Sequence, residues 1–468
     1  MKRNVLIIGA GGVAHVAAHK CAQNNILLGD IHIASRTLGK CQAIIASIKD
    51  KGSQRGPGRL QAHELDALDI EATKALIRAT GSQIVLNLGS PFLNMSVLQA
   101  CIETGAAYLD TAIHEDPAKV CETPPWYDNY EWKRKDACEQ AGVTAILGVG
   151  FDPGVVNAYG RYAMDAYFDQ VDSIDIIDIN AGSHGRYFAT NFDPEINFRE
   201  FTSTVWSWEE SQWKANAMFE RSQVWDLPVV GKNTAYLTGH DELHSMSRHL
   251  GVPNIRFWMG FGDHYINVFT VLKNLGLLSE KPVRTAEGLE VVPLKVVKAV
   301  LPDPASLAAG YTGKTCIGDL VKGTKNGKPQ EVLIYNICDH EESYEEVGSQ
   351  AISYTAGVPA VAAAMLIADG VWDAGRMVNV EELDPKPFIE LMNRIGLVTR
   401  VRDAHGDRVL HPQGEHATEH ATAVGALKRT QKVSAHYYAK PERAIAERRP
   451  FVKQPLAAET QVASRDLP

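Results

Sequence analysis

The first fourteen residues constrain the fold more than any other part of the chain, because they join a buried strand to a glycine-rich turn. A short apolar run, residues 5–8, leads directly into Gly9, and the alanine-rich segment that begins at Ala14 has the composition of a helix. Gly9 permits a tight turn, Gly11 lets the backbone approach a phosphate, and Ala14 is small enough for close helix–strand packing. The pattern predicts a Rossmann-type dinucleotide site, and the alternative is a glycine turn in a non-binding α/β domain. The residues predicted to meet the pyrophosphate are Gly9, Gly11, Gly12 and Val13.

The end of the second predicted strand indicates which dinucleotide is bound. Enzymes that use NAD usually carry Asp or Glu there to hold the ribose hydroxyls, whereas this chain has Ser35, Arg36 and Thr37. A guanidinium can stack on adenine and pair with a 2′-phosphate, to which both hydroxyls can donate hydrogen bonds. The sequence therefore predicts NADP(H) as the cofactor. The alternative is that Arg36 is a surface residue of the next helix.

Two further loops follow predicted strands at the sheet edge where ligands bind in such folds. Asp69 is expected to border the adenine, although it could equally cap the helix that follows. Asn87, Ser90 and Pro91 belong to a loop that is expected to lie on the nicotinamide side of the cofactor.

The chain length of 468 residues suggests more than one domain, at roughly 150 residues per domain. Strands alternate with helices through residues 1–150, which predicts an α/β NADP-binding Rossmann domain with a doubly wound parallel sheet. Residues 151–350 are predicted to form an α+β substrate and dimerisation domain with a mostly antiparallel sheet. Residues 351–400 are predicted to return as a helical segment to the first domain. Residues 401–468 have the composition of a partly disordered tail, and deletion beyond about residue 402 is expected to leave folding intact.

Composition narrows the classes of partner and compartment. The net charge of −9 disfavours nucleic acid, since phosphate binding needs a basic surface. Seven scattered cysteines without a CxxC pair indicate reduced thiols, a cytoplasmic location and no zinc site. No apolar run approaches the roughly 18 residues of a membrane span, so no membrane contact is expected. His411, His416 and His420 are interpreted as a solvated tail rather than a metal site.

Several longer stretches follow one another in order over roughly residues 1–400. They are IGAGGVAHVAAHKCAQNN, IASRT with GKC, NLGSPFLN, YLDTAIHED, GVGFDPGVVN, INFREF and SYTAGVPAVAAAMLI. This ordered set resembles the saccharopine dehydrogenase-like oxidoreductases and, within them, the carboxynorspermidine and carboxyspermidine dehydrogenases of polyamine synthesis. The resemblance implies a homodimeric enzyme that joins aspartate β-semialdehyde to a diamine, 1,3-diaminopropane or putrescine. The resulting imine would be reduced by NADPH.

That chemistry needs carboxylates for an ammonium group and a residue that moves protons. Asp110 and Asp152 each follow a predicted strand on the ligand side, with Glu115 nearby in the linking loops. Either aspartate could instead cap a turn. His114 could shuttle a proton, because its ordinary pKa lies near neutrality, but a lone loop histidine is more often a surface residue.

The amino-acid half of the substrate carries an α-carboxylate, which suits a bidentate arginine. Arg199, held by Glu200, is the first candidate, and Arg186 is the second. Without the family resemblance, an exposed arginine is as good an interpretation of Arg199. Tyr187 and Trp206 are candidates for packing against the substrate.

Two other functions remain open from the sequence. A saccharopine-type dehydrogenase, which joins lysine to an aldehyde or keto acid, would need a second buried arginine opposite Arg199. A non-catalytic NADP(H) sensor would lack an enclosed polar cleft between the domains.

Overall fold

The structure is a computed structural model that describes residues 3–119, 122–202 and 204–412. The first domain begins with a β/α alternation, which agrees with the alternation predicted from the sequence. Its elements are β1 (Arg3–Ile8), α1 (Gly12–Gln23), β2 (Leu28–Ser35), α2 (Leu38–Asp50), β3 (Leu60–Glu64), α3 (Ile70–Thr80), β4 (Ser82–Asn87), α4 (Asn94–Thr104), β5 (Ala107–Asp110), α5 (Lys135–Ala141) and β6 (Ala145–Leu147).

The chain then builds a second, larger sheet and its flanking helices. The elements of this part are α6 (Val155–Ala166), β7 (Gln170–Asn180), α7 (Pro194–Thr202), β8 (Val205–Glu209), β9 (Gln212–Asn216), β10 (Ser222–Leu227), β11 (Gly231–Thr238), α8 (Leu243–His249), β12 (Ile255–Gly260), α9 (Asp263–Asn274), β13 (Val283–Arg284), β14 (Glu290–Val291), α10 (Pro293–Val300), β15 (Lys314–Lys325) and β16 (Lys328–Asp339). The remaining described elements are α11 (His340–Val347), α12 (Ala351–Ala368), β17 (Met377–Asn379), α13 (Pro385–Ile395), β18 (Thr399–Asp403) and β19 (Gly406–Val409).

The two large sheets confirm the predicted fold class. The first has seven parallel strands in the order β17-β6-β5-β4-β1-β2-β3, so the strand order reverses beside β1 as in a doubly wound fold. The second follows the order β10-β11-β12-β7-β15-β16-β18-β19, with β8 and β9 attached to β12. Among its described pairs only β12 and β7 run parallel, so this sheet is mostly antiparallel.

One face of the second sheet packs toward the first domain. Ile174 and Ile176 of β7 share a buried core with Ile317 and Val321 of β15 and with residues of α1 and α12. Because strand side chains alternate between faces, Asp178 lies on this same inward face, two residues beyond Ile176. A carboxylate is therefore brought to the junction of the two domains directly after two buried isoleucines on the same face of the strand.

Helix α12 crosses α1 at positions with small side chains. Gly12 meets Ser353, and Gly357 meets Val16 so closely that an added Cβ would lie 2.9 Å from that side chain. By length and composition α12 could also cross a membrane, contrary to the sequence expectation, but 83% of it is buried inside the protein. It is the core helix that joins the last part of the described chain to the first domain.

The boundary predicted at residue 401 needs correction, because it falls inside β18. That strand pairs with β16, and β19 pairs back onto β18. Val401 is fully buried, Leu410 is 5% exposed, and the carbonyl oxygen of Leu410 accepts a 2.7 Å hydrogen bond from Asn393. The second sheet thus continues to about residue 410. The few large apolar residues of this segment, Val401 and Leu410 among them, are enough to anchor it.

Candidate active site

The glycine loop forms an open cradle between β1 and α1. Gly9 has φ +114°, and a Cβ there would lie 2.5 Å from the carbonyl oxygen of Leu88, so only glycine fits this turn. Gly11 faces open space, with no heavy atom within 4 Å of an added Cβ. Gly12, which begins α1, packs against Ser353 instead. The loop therefore leaves one side free, beside the helix start where Val13 lies, for a pyrophosphate.

The end of β2 carries the predicted 2′-phosphate residues without a competing acid. The Ser35 hydroxyl donates to the carbonyl of Thr37 (3.1 Å) and accepts from the Thr37 N–H (3.2 Å), which fixes the turn between them. Arg36 is exposed and has no ion pair with a described residue. Its guanidinium is available to a bound phosphate, so these residues fit NADP(H).

We expect the replacement Arg36→Ala to weaken NADPH binding by about 1.5–3 kcal/mol, as for a lost charge-assisted hydrogen bond, and to leave NADH binding nearly unchanged. Fluorescence titration with both cofactors measures this. The control is Arg161→Ala, an exposed arginine on α6 that pairs with Asp165. Equal affinity of the unmodified protein for NADPH and NADH would contradict the assignment.

The other predicted cofactor residues lie at the ends of strands on the same edge. Asp69 caps α3 by accepting from the Ala72 N–H at 2.9 Å, so its capping role is observed and a contact with adenine stays a prediction. Asn87 is buried and donates to Asn94, whereas Ser90 caps a short 3₁₀ turn that begins at Pro91.

His114 is tied to the loop on the nicotinamide side. Its Nδ1 lies 3.0 Å from the carbonyl oxygen of Pro91, which can only accept, so Nδ1 carries the proton and Nε2 is left as the basic atom. Tyr130 packs edge-on against the ring at 4.5 Å. Burial lowers the pKa of His114 below 6.5, which keeps the ring neutral near pH 7.

Asp110 has a structural position rather than the ligand-facing one that was predicted. It is 1% exposed, and its carboxylate accepts hydrogen bonds from the Gly148 N–H (2.6 Å) and the Tyr108 hydroxyl (2.9 Å). Burial raises its pKa to about 7. The bond from Gly148 ties the end of β5 to the residue after β6, and together the two bonds leave the Asp110 carboxylate enclosed.

Arg199 is buried beside Phe92, in the loop that was predicted to lie on the nicotinamide side, and it connects the two domains. Its guanidinium lies 5.4 Å from the ring centre of Phe92, 3.3 Å from Glu115 and 3.5 Å from Glu280. It also donates to the carbonyl oxygens of Asp116 and Lys119. Contrary to the expectation, the carboxylates paired with Arg199 are Glu115 and Glu280. Arg199 lies on helix α7, and its contacts join that helix to the loop after β5.

Four carboxylates contributed by both domains lie within electrostatic range of His240. Asp152 comes from the loop after β6, Asp178 from β7, Glu200 from α7 and Asp241 from the loop after β11, where its carboxylate accepts from the Ile113 N–H at 2.7 Å. Burial raises the pKa of Asp178 and of Asp241 to about 6 and that of Glu200 to about 8, and it raises the pKa of Asp152 well above 3.8. We call these four residues the acidic cleft.

A histidine–glutamate pair lies within the acidic cleft. His240 Nδ1 is 2.6 Å from a carboxylate oxygen of Glu242, which is fully buried. Neither residue was predicted, nor were Asp178 and Asp241. Two signals in the sequence were available: an aspartate on the apolar side of a strand, and a run of three ionisable residues, His-Asp-Glu, directly after a strand.

The remaining predicted substrate residues are less enclosed. Arg186 is exposed, and Tyr187 is 80% exposed, with its carbonyl oxygen 2.6 Å from His264 Nε2. Trp206 is partly buried on β8 next to Gly239, and its indole N–H has no hydrogen-bond partner among the described residues. Only Trp206 of these three adjoins the strand end that leads to His240.

The described residues contain no cluster of three or more His, Cys, Asp or Glu side chains arranged for a metal ion. His411 lies 3.7 Å from Glu390, whereas His416 and His420 fall outside the described part of the chain.

The turn between β1 and α1 suits a pyrophosphate, and the end of β2 lacks the acid that is typical of NAD enzymes. Together with the buried ionisable residues that both domains contribute, these features are those of an NADP-dependent oxidoreductase. Comparison with known families agrees. Residues 5–146 match the saccharopine dehydrogenase NADP binding domain, and residues 150–397 match the saccharopine dehydrogenase C-terminal domain. The chain belongs to the saccharopine dehydrogenase family.

Curated relatives cover most of this chain. A carboxynorspermidine synthase of Vibrio alginolyticus is 46% identical over 409 residues, which are 87% of this chain and 99% of that protein. A carboxyaminopropylagmatine dehydrogenase of Synechocystis is 40% identical over 394 residues, 84% of this chain and 96% of that protein. The apo saccharopine dehydrogenase (L-Glu forming) of Saccharomyces cerevisiae shares the fold, with a TM-score of 0.63 at 12% identity over 86% of this chain and all of that one.

Proposed function

We propose that the protein condenses aspartate β-semialdehyde with a diamine, 1,3-diaminopropane or putrescine, and reduces the imine to a carboxylated polyamine. NADPH, when bound, supplies the hydride for that reduction. The names of the relatives, which are 40–46% identical, support a dehydrogenase of polyamine biosynthesis. The chain's own contribution is to bind, orient and protonate the two substrates.

The acidic cleft is the observation that carries this proposal. Four carboxylates, Asp152, Asp178, Glu200 and Asp241, lie deep enough that burial raises each pKa. Gathering like charges in this way is unfavourable unless cations join them, and His240 is the one cationic side chain described among them. A diamine brings two ammonium groups, and the iminium formed from it is also positive. The cleft therefore complements both the amine substrate and the intermediate.

The amino-acid carboxylate is assigned to Arg199 because of its place beside the nicotinamide loop. Its guanidinium packs near Phe92, and the pKa of its partner Glu115 is raised to about 7, by burial first and with Arg199 opposing. Protonation of Glu115 would free part of the guanidinium for a substrate carboxylate. Arg186, the second candidate, is exposed in its loop.

The saccharopine-type alternative is less well supported. It requires a second buried arginine for a second α-carboxylate, and Arg199 is the single arginine that is fully buried in the described part of the chain. The sensor alternative predicted no enclosed polar cleft, which disagrees with the acidic cleft described above.

The function is tested by following NADPH oxidation by the purified protein. Aspartate semialdehyde is supplied with 1,3-diaminopropane, putrescine or agmatine, each in a separate reaction. Agmatine is included because the name of the Synechocystis relative points to it. Oxidation that needs both the aldehyde and one of these amines supports the proposal. A protein that binds NADPH but turns over none of the mixtures contradicts it.

We expect Asp152→Asn to raise the KM for the amine about tenfold to a hundredfold, because a charge-assisted hydrogen bond to an ammonium is lost. The affinity for NADPH should not change, since Asp152 follows β6 and lies apart from the glycine loop. Asp165→Asn on α6, an exposed aspartate paired with Arg161, is the matched control. An unchanged KM for the amine in Asp152→Asn would remove this residue from the amine site.

The homodimer and the cytoplasmic location remain predictions. Six described cysteines are free and buried, as is expected for reduced thiols. Sedimentation equilibrium of the full chain would decide the oligomeric state.

A further inference from the structure

The loop after β11 holds His240 in one defined orientation. Its imidazole stacks on Phe257, with ring centres 4.1 Å apart and planes 13° from parallel. Nδ1 meets the fully buried Glu242 at 2.6 Å. With Nδ1 committed to the carboxylate, Nε2 is the atom that can exchange a proton with the cleft. A nitrogen base oriented by a buried carboxylate is the arrangement that acid–base catalysis requires.

Charged and titratable groups reach His240 from several elements. They are Asp152 in the loop after β6, Asp178 on β7, Glu200 on α7, Asp241 and Glu242 in its own loop, and His244 on α8. Asp319 of β15 interacts in turn with Glu242 and Asp152. Burial lowers the pKa of His240, but Glu242 and the charges of Asp152 and Glu200 more than offset it, so the pKa is raised well above 6.5.

His114, the histidine favoured by the sequence, lacks such a partner. Its Nδ1 is held by a backbone carbonyl, and burial lowers its pKa. A neutral imidazole with a lowered pKa cannot deliver a proton near pH 7. His240 differs in both respects, although the two residues lie on neighbouring loops connected by the bond from the Ile113 N–H to Asp241.

We propose that His240 is the acid–base residue of the condensation and that Glu242 is its positioning residue. This inference rests on the proposed function. An ionised carboxylate of the acidic cleft takes one proton from the substrate ammonium, which frees the nitrogen lone pair to form a bond to the aldehyde carbon. Within the adduct a second proton moves from nitrogen to the former carbonyl oxygen. The protonated His240 donates its Nε2 proton to that hydroxyl, the C–O bond breaks, and water leaves. The proton held by the carboxyl group then passes to Nε2.

The step balances without any other reagent: an ammonium and an aldehyde become an iminium and water, and His240 ends in its starting state. The acidic cleft takes part as the proton acceptor and by stabilising the positive charge of the ammonium and of the iminium. His240 therefore acts in forming the iminium, before the reduction.

Two variants and one control test this. His240→Gln and Glu242→Gln remove the acid–base residue and its positioning residue. His249→Gln is the control, because His249 also faces a glutamate, Glu382 at 3.6 Å, on α8 outside the cleft. We expect His240→Gln to lower kcat about a hundredfold to ten-thousandfold and to keep NADPH affinity. The control should retain kcat within about threefold.

The deuterium isotope effect with NADPH labelled at the transferred position separates this role from a structural one. If His240 forms the iminium, that step limits turnover in His240→Gln and the isotope effect on kcat falls to about 1. An isotope effect of about 2 or more in this variant would show that reduction has become limiting and would overturn the proposal.

The pH profile of Glu242→Gln gives a second, independent measurement if His240→Gln does not fold. Loss of the carboxylate lowers the pKa of His240, so the limb of kcat/KM that reports this residue should move to lower pH by about one unit or more. An unmoved limb would overturn the positioning role. Unmodified protein without turnover of any amine would instead overturn the proposed function, and this assignment with it.

Discussion

Deletion of residues 403–468 is expected to lower the midpoint of thermal unfolding by several degrees. The deletion removes β19 and leaves β18 as an unpaired edge, and it removes Leu410, which is 5% exposed. Burial of a leucine side chain contributes about 1.5–3 kcal/mol. The Asn393 amide, which donates to Leu410, and the Tyr335 hydroxyl, which donates to Asp407, also lose their acceptors. We therefore expect a total loss of about 3–5 kcal/mol.

A matched control protein that ends at Pro412 lacks fewer residues and keeps every one of those contacts. Its unfolding midpoint should stay within about one degree of the full chain, as measured by differential scanning fluorimetry at equal concentration. Equal stability of the two truncated proteins would mean that the hairpin of β18 and β19 adds nothing to the sheet. The sequence-based expectation of harmless deletion beyond residue 402 would then be restored.

Replacement of Arg199 by methionine is expected to destabilise the protein by about 3–5 kcal/mol. Methionine fills a similar volume but leaves Glu115 and Glu280 facing each other without a cation, and breaking a buried ion pair from one side costs about that much. The carbonyl oxygens of Asp116 and Lys119 also lose a donor. Arg248→Met is the control: Arg248 pairs with Asp128 while both are about half exposed, and such pairs contribute about 0–1 kcal/mol.

The loss of stability caused by Arg199→Met should become smaller as the pH falls. The pKa of Glu115 is already raised to about 7, chiefly by burial, and removal of the guanidinium raises it further. Below that pKa the carboxyl is neutral and no longer needs a cation, so the variant should approach the unmodified protein as the pH falls from 8 to 6. Arg199→Lys keeps a charge, so a raised KM for the semialdehyde with little loss of stability would support carboxylate binding by the guanidinium. A variant as stable as the unmodified protein at pH 8 would show that Arg199 is not a structural bridge.

The local features of the nucleotide site followed from the sequence because each depends on adjacent residues. The positive φ at position 9 requires glycine, and the absence of an acid at the end of β2 can be seen in the three consecutive residues 35–37. A helical segment was predicted from residue 351 onward, and α12 begins at that residue. Within the first sheet, the strands that were not predicted were β3, whose sequence is LQAHE, and β17, which has three residues. Neither segment has an apolar pattern long enough to indicate a strand.

The acidic cleft could not be predicted because its members are far apart in the chain. Asp152 and Asp241 are 89 positions apart. What brings them together is the docking of the loop after β11 onto the loop after β5, through the bond from the Ile113 N–H to Asp241. Asp110 shows the opposite case. It lies at the end of a strand as predicted, but hydrogen bonds from Tyr108 and Gly148 hold its carboxylate in a buried structural position. Sequence reasoning thus identified the right edge of the sheet and Asp152, but neither Asp178 nor Asp241.

The return of the chain to its first sheet has a consequence for synthesis. Strand β17 is the outer neighbour of β6, and Ser353 of α12 packs against Gly12 in the phosphate loop. When the ribosome has made the first 150 residues, the nascent sheet still lacks its seventh strand, and α1 lacks the helix that covers it. Such an intermediate exposes an unpaired strand edge and an apolar helix face, both of which invite aggregation. The nucleotide-binding loop and its sheet reach their final packing only after about 380 residues have emerged. Until then, the N-terminal segment is neither covered by α12 nor paired with β17.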